Sequence, residues 1–138
     1  MNDRYLYRAK RKNWRELPKE KWWVEGYYAY MQPYHYIMPK DNFDSWIEID
    51  EKTLCACTGL KDKNGKLIWE NDVVSFLDMY STENGYSERG CVGKVVWDDE
   101  TISFQVTNRL SAESYEVLDE CLVIGNIFDN PELLEVGE

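Results

Sequence analysis

From residue 58 onward the chain never runs far before it turns. Asn64-Gly65, Asn71-Asp72 and Asp98-Asp99-Glu100 cut this half into short segments rich in Val, Ile, Phe and Trp. Asn-Gly is a tight-turn signal because both positions accept positive φ. The spacing predicts strands at 73–79, 91–97, 102–107 and 121–128. In the third of these, Ile102, Phe104 and Val106 alternate with Ser103, Gln105 and Thr107, the pattern of a strand with one buried face. The polar stretch 80–90 reads as a longer loop, and 111–115 as one helical turn. Asn130 is placed to cap a short C-terminal helix, with Pro131 at its first position and Glu132 beside its positive end. Four or five short strands this closely spaced favour a small, strongly bent sheet or a partly open barrel.

The first half has a different character. Of 20 Phe, Trp and Tyr residues, 12 lie within the first 57 positions. Residues 22–38 are dominated by side chains that favour strands, interrupted by Gly26, Pro33 and Pro39. We read strands at 3–9 and 22–32, then irregular chain. A third short strand at 45–50 sets Ile47 and Ile49 on one face and Trp46, Glu48 and Asp50 on the other, with the apolar face toward the core. The expected fold is therefore mostly β. An N-terminal aromatic and basic region of strands and loops (1–57) precedes a small, partly open β-barrel-like core with a short C-terminal helix (58–138).

Composition narrows the chemistry. The chain carries a net charge of −10 and has one histidine, His35. The first 24 residues hold a net +5, which leaves −15 on the remainder. General phosphate-backbone binding draws on clustered positive charge, so this balance argues against it for the chain as a whole. No run approaches the roughly 20 apolar residues of a membrane span, and the opening MNDRYLYRAKRKNW has no apolar signal-peptide centre. A cytoplasmic protein without membrane partners is expected.

Candidate reactive residues read as structural. Cys55 and Cys57 share one face of a strand, and Cys91 and Cys121 stand far along the chain. None forms the paired Cys-x₂₋₄-Cys spacing of a zinc site, so buried, reduced thiols are expected and no metal. His35 lies between Tyr34 and Tyr36, with no acid or nucleophile beside it in sequence, and reads as packing. Adjacent acids such as Asp98 and Asp99 arise by chance among 26 carboxylates and fit a turn. Neither a calcium loop nor a phosphate loop is present. The reading is of no enzyme and no cofactor.

The N-terminus is more suggestive. Arg8, Lys10, Arg11 and Lys12 could meet phosphates while Trp14, Trp22, Trp23 and Tyr27 supply stacking faces. The plainer reading packs these aromatics on the core or on a neighbouring subunit, since Trp and Tyr are enriched at interface centres. These eight residues form the candidate interaction surface.

Three runs, TGLKDKNGKLIWENDVVSF (58–76), GKVVWDDETISFQV (93–106) and VIGNIFDNPELL (123–134), together with the opening YLYRAKRKNW and WWVEGYYAY, resemble the YopX family of phage and prophage proteins. Asn71 stands where that family's pattern has glycine, and Asn is the next most tolerant residue for a left-handed backbone. The stretch RELPKEK (15–21) lengthens the N-terminal hairpin relative to the family pattern. The resemblance implies a bacteriophage or prophage protein of unassigned activity in the bacterial cytoplasm, with a β-barrel core and self-association. The expected function is that of a non-enzymatic accessory protein acting through protein–protein contacts with its own copies, or with a host or phage protein. The alternative is a nucleic-acid-binding regulator that uses the basic–aromatic arm.

Overall fold

The computed structural model describes residues 3–42, 44–107, 114–116 and 120–134. The chain divides into two compact units, Met1–Gly59 and Leu60–Glu138. Among the described residues there are eleven strands in two antiparallel sheets, and helical structure is confined to 3-10 turns. None of these is long or apolar enough to cross a membrane.

In the first unit a 3-10 turn at Asp3–Tyr5 leads into β1 (Tyr7–Lys10). β2 (Trp23–Met31), β3 (Tyr34–Pro39), β4 (Ile47–Glu48) and β5 (Cys55–Lys61) follow, in the spatial order β4-β3-β2-β1-β5. Residues 34–39, read from sequence as irregular chain, form a full strand. The prolines that suggested a break stand before β3 and at its last residue, where they interrupt no ladder. Alternation along β1 and β2 sends Ala9 and Val24 to one side, where with Ile37 and Ile49 they build the core. Of the strand expected at 45–50 only Ile47–Glu48 forms, followed by an isolated bridge from Ile49 to Arg11, but Ile47 and Ile49 do face that core. Gly26 is required by close approach, since a Cβ there would lie 2.0 Å from the Met38 carbonyl oxygen.

β5 runs past the boundary and turns back onto β6 (Leu67–Trp69). Only Gly65 of the Asn64-Gly65 pair takes positive φ, at 80°. The turn is instead the three-residue kind, closed by Asp62 N donating to Lys66 O at 2.8 Å and Gly65 N to Asp62 O at 2.9 Å. At the next turn Asn71 has φ of 71°, the left-handed conformation expected where the family pattern carries glycine.

The second unit's other strands are β7 (Asp72–Thr82), β8 (Gly85–Asp98), β9 (Ser103–Thr107), β10 (Ser114–Glu116) and β11 (Leu122–Asn126), in the order β10-β9-β8-β7-β11. Ile68, Val74, Val95, Val106 and Cys121 form the core. The sheet is open and does not close into a barrel, because its edge strands β10 and β11 pair only with β9 and β7. Two misreadings lie behind the barrel. The stretch 80–90 is no loop but the far part of a hairpin, in register from Val73↔Lys94 to Thr82↔Gly85. Over 81–90 it lacks apolar alternation because neither face packs on a core: all but Ser87 are exposed. The helical turn expected at 111–115 is replaced at Ser114–Glu116 by β10, and 111–113 lie outside the described residues. At the C-terminus the expected helix is one 3-10 turn, Pro131–Leu134. The Asn130 side chain accepts instead from Asn126 N at 3.3 Å.

Ile102 departs from its predicted inward position. The register Asp98↔Ser103 places it in the turn, 74% exposed, with φ of 53°. A β-branched residue in this region is strained by roughly 1–2 kcal/mol. Ile102→Gly is expected to raise stability by about 1 kcal/mol, measured as a higher urea midpoint at unchanged slope.

Candidate functional site

The basic–aromatic cluster follows from strand alternation. On β1, Tyr7 and Ala9 point to the core side, so Arg8 and Lys10 point the other way, with Lys10 paired to Trp23 and Arg8 to Glu25. A lysine on that face would ordinarily reach water. Here two 3-10 turns, Trp14–Glu16 and Lys19–Lys21, formed within and beside the 15–21 stretch, carry Trp14 and Trp22 over it. Lys10 is only 2% exposed. Its Nζ lies 3.8 Å from the Trp14 ring centroid, 4.4 Å from that of Trp22 and 5.6 Å from that of Trp23.

Further cations meet the same rings. Arg15 Cζ lies 4.3 Å from the Trp14 centroid, Lys19 Nζ 5.6 Å from that of Trp22, and Arg8 Cζ 4.9 Å from that of Trp23. Trp14 and Trp22 meet edge to face at 4.8 Å. Their indole nitrogens are anchored as well: Trp14 Nε1 donates to Asp50 Oδ2 at 3.3 Å and Trp22 Nε1 to Leu17 O at 3.0 Å. Each ring quadrupole thus attracts positive charge that would otherwise repel its neighbours.

Of the eight predicted surface residues, the fold gathers Arg8, Lys10, Trp14, Trp22 and Trp23 into this cluster, with Lys10 inside it rather than on the surface. Arg11 and Lys12 sit at its margin. Arg11 Nη1 donates to the carbonyls of Lys21 and Trp23, and Lys12 Nζ pairs with Glu48 Oε2 at 3.6 Å. Tyr27 stands four residues along β2 from Trp23, roughly 13 Å away at strand rise, paired with Met38. Arg15, Lys19 and Asp50 complete the cluster without having been singled out in the sequence.

A second arrangement surrounds His35, and the carboxylate beside it escaped the sequence reading. β3 pairs His35 with Tyr30, and the 3-10 turn Glu51–Thr53 brings Glu51 to its other side. His35 Nδ1 lies 2.6 Å from Tyr28 Oη, and Nε2 lies 2.6 Å from Glu51 Oε2. The imidazole stacks on Tyr28 with 12° between the planes. Burial, then the negative potential of Glu51 and the nearby Tyr30 and Tyr7, raise the Tyr28 pKa above the ordinary phenol value. Tyr28 Oη and Glu51 Oε2 thus hold the two ring nitrogens of His35 from either side. The connectivity is hydroxyl to imidazole to carboxylate. The chain of bonds joins β2, β3 and the 51–53 turn.

An apolar strip occupies the sheet face opposite the core. Met31 pairs with Tyr34, and the Tyr34, Tyr36 and Trp46 rings follow one another at 6.4 and 5.7 Å. Met31 is 58% exposed, Tyr34 50% and Trp46 46%. The four cysteines are buried free thiols. Among the described residues no three His, Cys, Asp or Glu are grouped as metal ligands would be.

Comparison with known proteins gives a family and structural likenesses. The crystal structure of protein EF1440 from Enterococcus faecalis is 24% identical to this chain, covers 93% of it and 96% of its own length, and superposes with a TM-score of 0.47. No curated protein matches. The family model described as YopX protein matches residues 4–135, nearly the whole chain, and the protein belongs to the YopX family.

Proposed function

We propose that this protein is a non-enzymatic accessory factor, encoded by a phage or prophage and active in the bacterial cytoplasm, that works through protein–protein contacts and associates with its own copies. The observation that carries this reading is the strip of exposed Met31, Tyr34 and Trp46, with half-buried Tyr36 between the last two. Large aromatics and Met held in a row on a rigid sheet offer wide contact area with little entropy left to lose on binding. Size exclusion with light scattering tests it. The wild type is expected at a multiple of 16.4 kDa. Tyr34→Asp with Trp46→Asp is expected to weaken association at least about tenfold, the scale of one interface hot spot. A 16.4 kDa species at every concentration up to about 100 micromolar, where even weak dimers assemble, would rule self-association out.

The second reading, a nucleic-acid-binding regulator, draws on Lys12, Arg15, Lys19 and Lys21, which remain exposed. Against it, Lys10 is enclosed, and Trp14 and Trp22 already hold each other and their cations. A filter-binding titration across salt separates the two readings, because phosphate contacts give a steep loss of affinity as salt rises.

A further inference from the structure

In the second unit the core-bearing face of the sheet ends beside a cavity. β7 pairs Phe76 with Cys91 of β8, and the β11 register, with Leu122 opposite Ser75, brings Cys121 to the other flank of Phe76. The three stand in one row across the sheet, on the face that carries Val74 and Val95. Cys91 and Cys121 have β7 between them, two strand spacings or roughly 10 Å, too far for a disulfide, and both remain thiols. Over this row opens a cavity of about 400 Å³. The buried thiols form its floor, half-buried Val92 and Leu122 its walls, and exposed Lys63 and Glu120 its mouth. The mouth is held in place: Lys63 N donates to Cys121 O at 3.1 Å, and the adjacent Asp62 Oδ2 accepts from Val123 N at 3.0 Å. Gly90 leaves the space open, since a Cβ there would meet nothing within 4 Å.

We propose that this cavity binds a small, uncharged, mainly apolar molecule with about the bulk of a two-ring aromatic. Size, lining and charge each narrow the class. An apolar cavity of about 150 Å³ already takes benzene, and ligand sites begin at roughly 300 Å³. The floor and walls offer thiols, aliphatic carbons and the Phe76 ring, so water entering there finds few partners and is readily displaced. At the mouth one cation and one anion stand together. A charged ligand meets one like and one opposite charge there, and it gives up hydration on entering. An uncharged one gives up little and buries apolar surface. The site lies wholly within the second unit and is independent of the self-association put forward above.

Calorimetric titration of the full chain with naphthalenemethanol provides the test. One molecule is expected to bind per chain with Kd below about 100 micromolar, and naphthoate and naphthylmethylammonium at least about tenfold more weakly. The cavity's own thiols then locate the bound ring in the wild type. With the alcohol at about ten times its Kd, methyl methanethiolsulfonate is expected to modify Cys91 and Cys121 about tenfold more slowly, read by peptide mass spectrometry. Cys55 and Cys57, buried thiols of the first unit, keep their rates and serve as internal controls. Cys91→Phe places a ring in the space and is expected to weaken binding at least about tenfold, with near-UV circular dichroism as the check on folding. The wild-type thiol rates decide the matter even if that variant folds poorly. No binding up to about 1 mM, or binding that leaves the rates at Cys91 and Cys121 unchanged, overturns the site. A charged analogue that binds as tightly as the alcohol overturns the chemical class.

Discussion

Asp62→Ala is expected to lower the stability of the second unit by about 3–5 kcal/mol, because one buried carboxylate satisfies three backbone donors. Asp62 is 5% exposed. Its Oδ1 accepts from Asn64 N and Lys66 N, both at 2.9 Å, and its Oδ2 accepts from Val123 N at 3.0 Å. Two of these bonds hold the turn before β6, and the third ties that turn to β11. Alanine leaves all three N–H groups without their acceptor. The same carboxylate makes stability depend on pH. Burial alone pushes the Asp62 pKa up, but the N–H donors of Val123, Lys66 and Asn64, with the Lys66 charge, outweigh it, and the pKa lies below the ordinary carboxylate value. A group with its folded pKa depressed contributes fully above its unfolded pKa of about 3.9 and loses that contribution as pH falls through the folded value. Urea titrations from neutral to acid pH, followed by tryptophan fluorescence, should show the wild type losing stability in that window and Asp62→Asn following a flatter curve. Asp62→Ala with a wild-type midpoint would contradict this account.

Lys10→Ala carries the second large effect, about 3 kcal/mol. The substitution empties a space bounded by Trp14, Trp22 and Trp23, and it takes the shared cation from between two indoles. Lys10→Met keeps the stem and removes the charge. It gives up the cation–π attraction but also the cost of holding an ammonium away from water, so a change within about 1 kcal/mol of wild type is expected. The gap between the two variants in urea unfolding separates packing from charge. If Lys10→Ala unfolds within 1 kcal/mol of the wild type, the cluster is not what holds the 12–22 segment in place.

The local patterns of this sequence carried a good part of the fold. Ile47 and Ile49 declared their face by alternation, while the left-handed turn at Asn71 came from the resemblance, which puts it where the family pattern has glycine. What escaped depends on contacts between distant segments. Lys10 occupies an outward position of β1, and nothing within β1 says that residues 12–22, which have no strand or helix period, will cover it. Glu51 reaches His35 across 16 positions through two turns. The β7–β8 ribbon hid for the opposite reason: strands with solvent on both faces carry no hydrophobic period, so their polar sequence resembles a loop. Ile102 misled because its hydrophobicity fitted the alternation while the hairpin register placed it in the turn.

The edge-to-face meeting of Trp14 and Trp22 has an optical consequence. Two indoles with centroids 4.8 Å apart and planes inclined at 69° share their electronic excitation, which splits into a pair of circular dichroism bands of opposite sign. Trp69 and Trp97 belong to the other unit, so this couplet is a label-free signal that reads the folding of the N-terminal half alone.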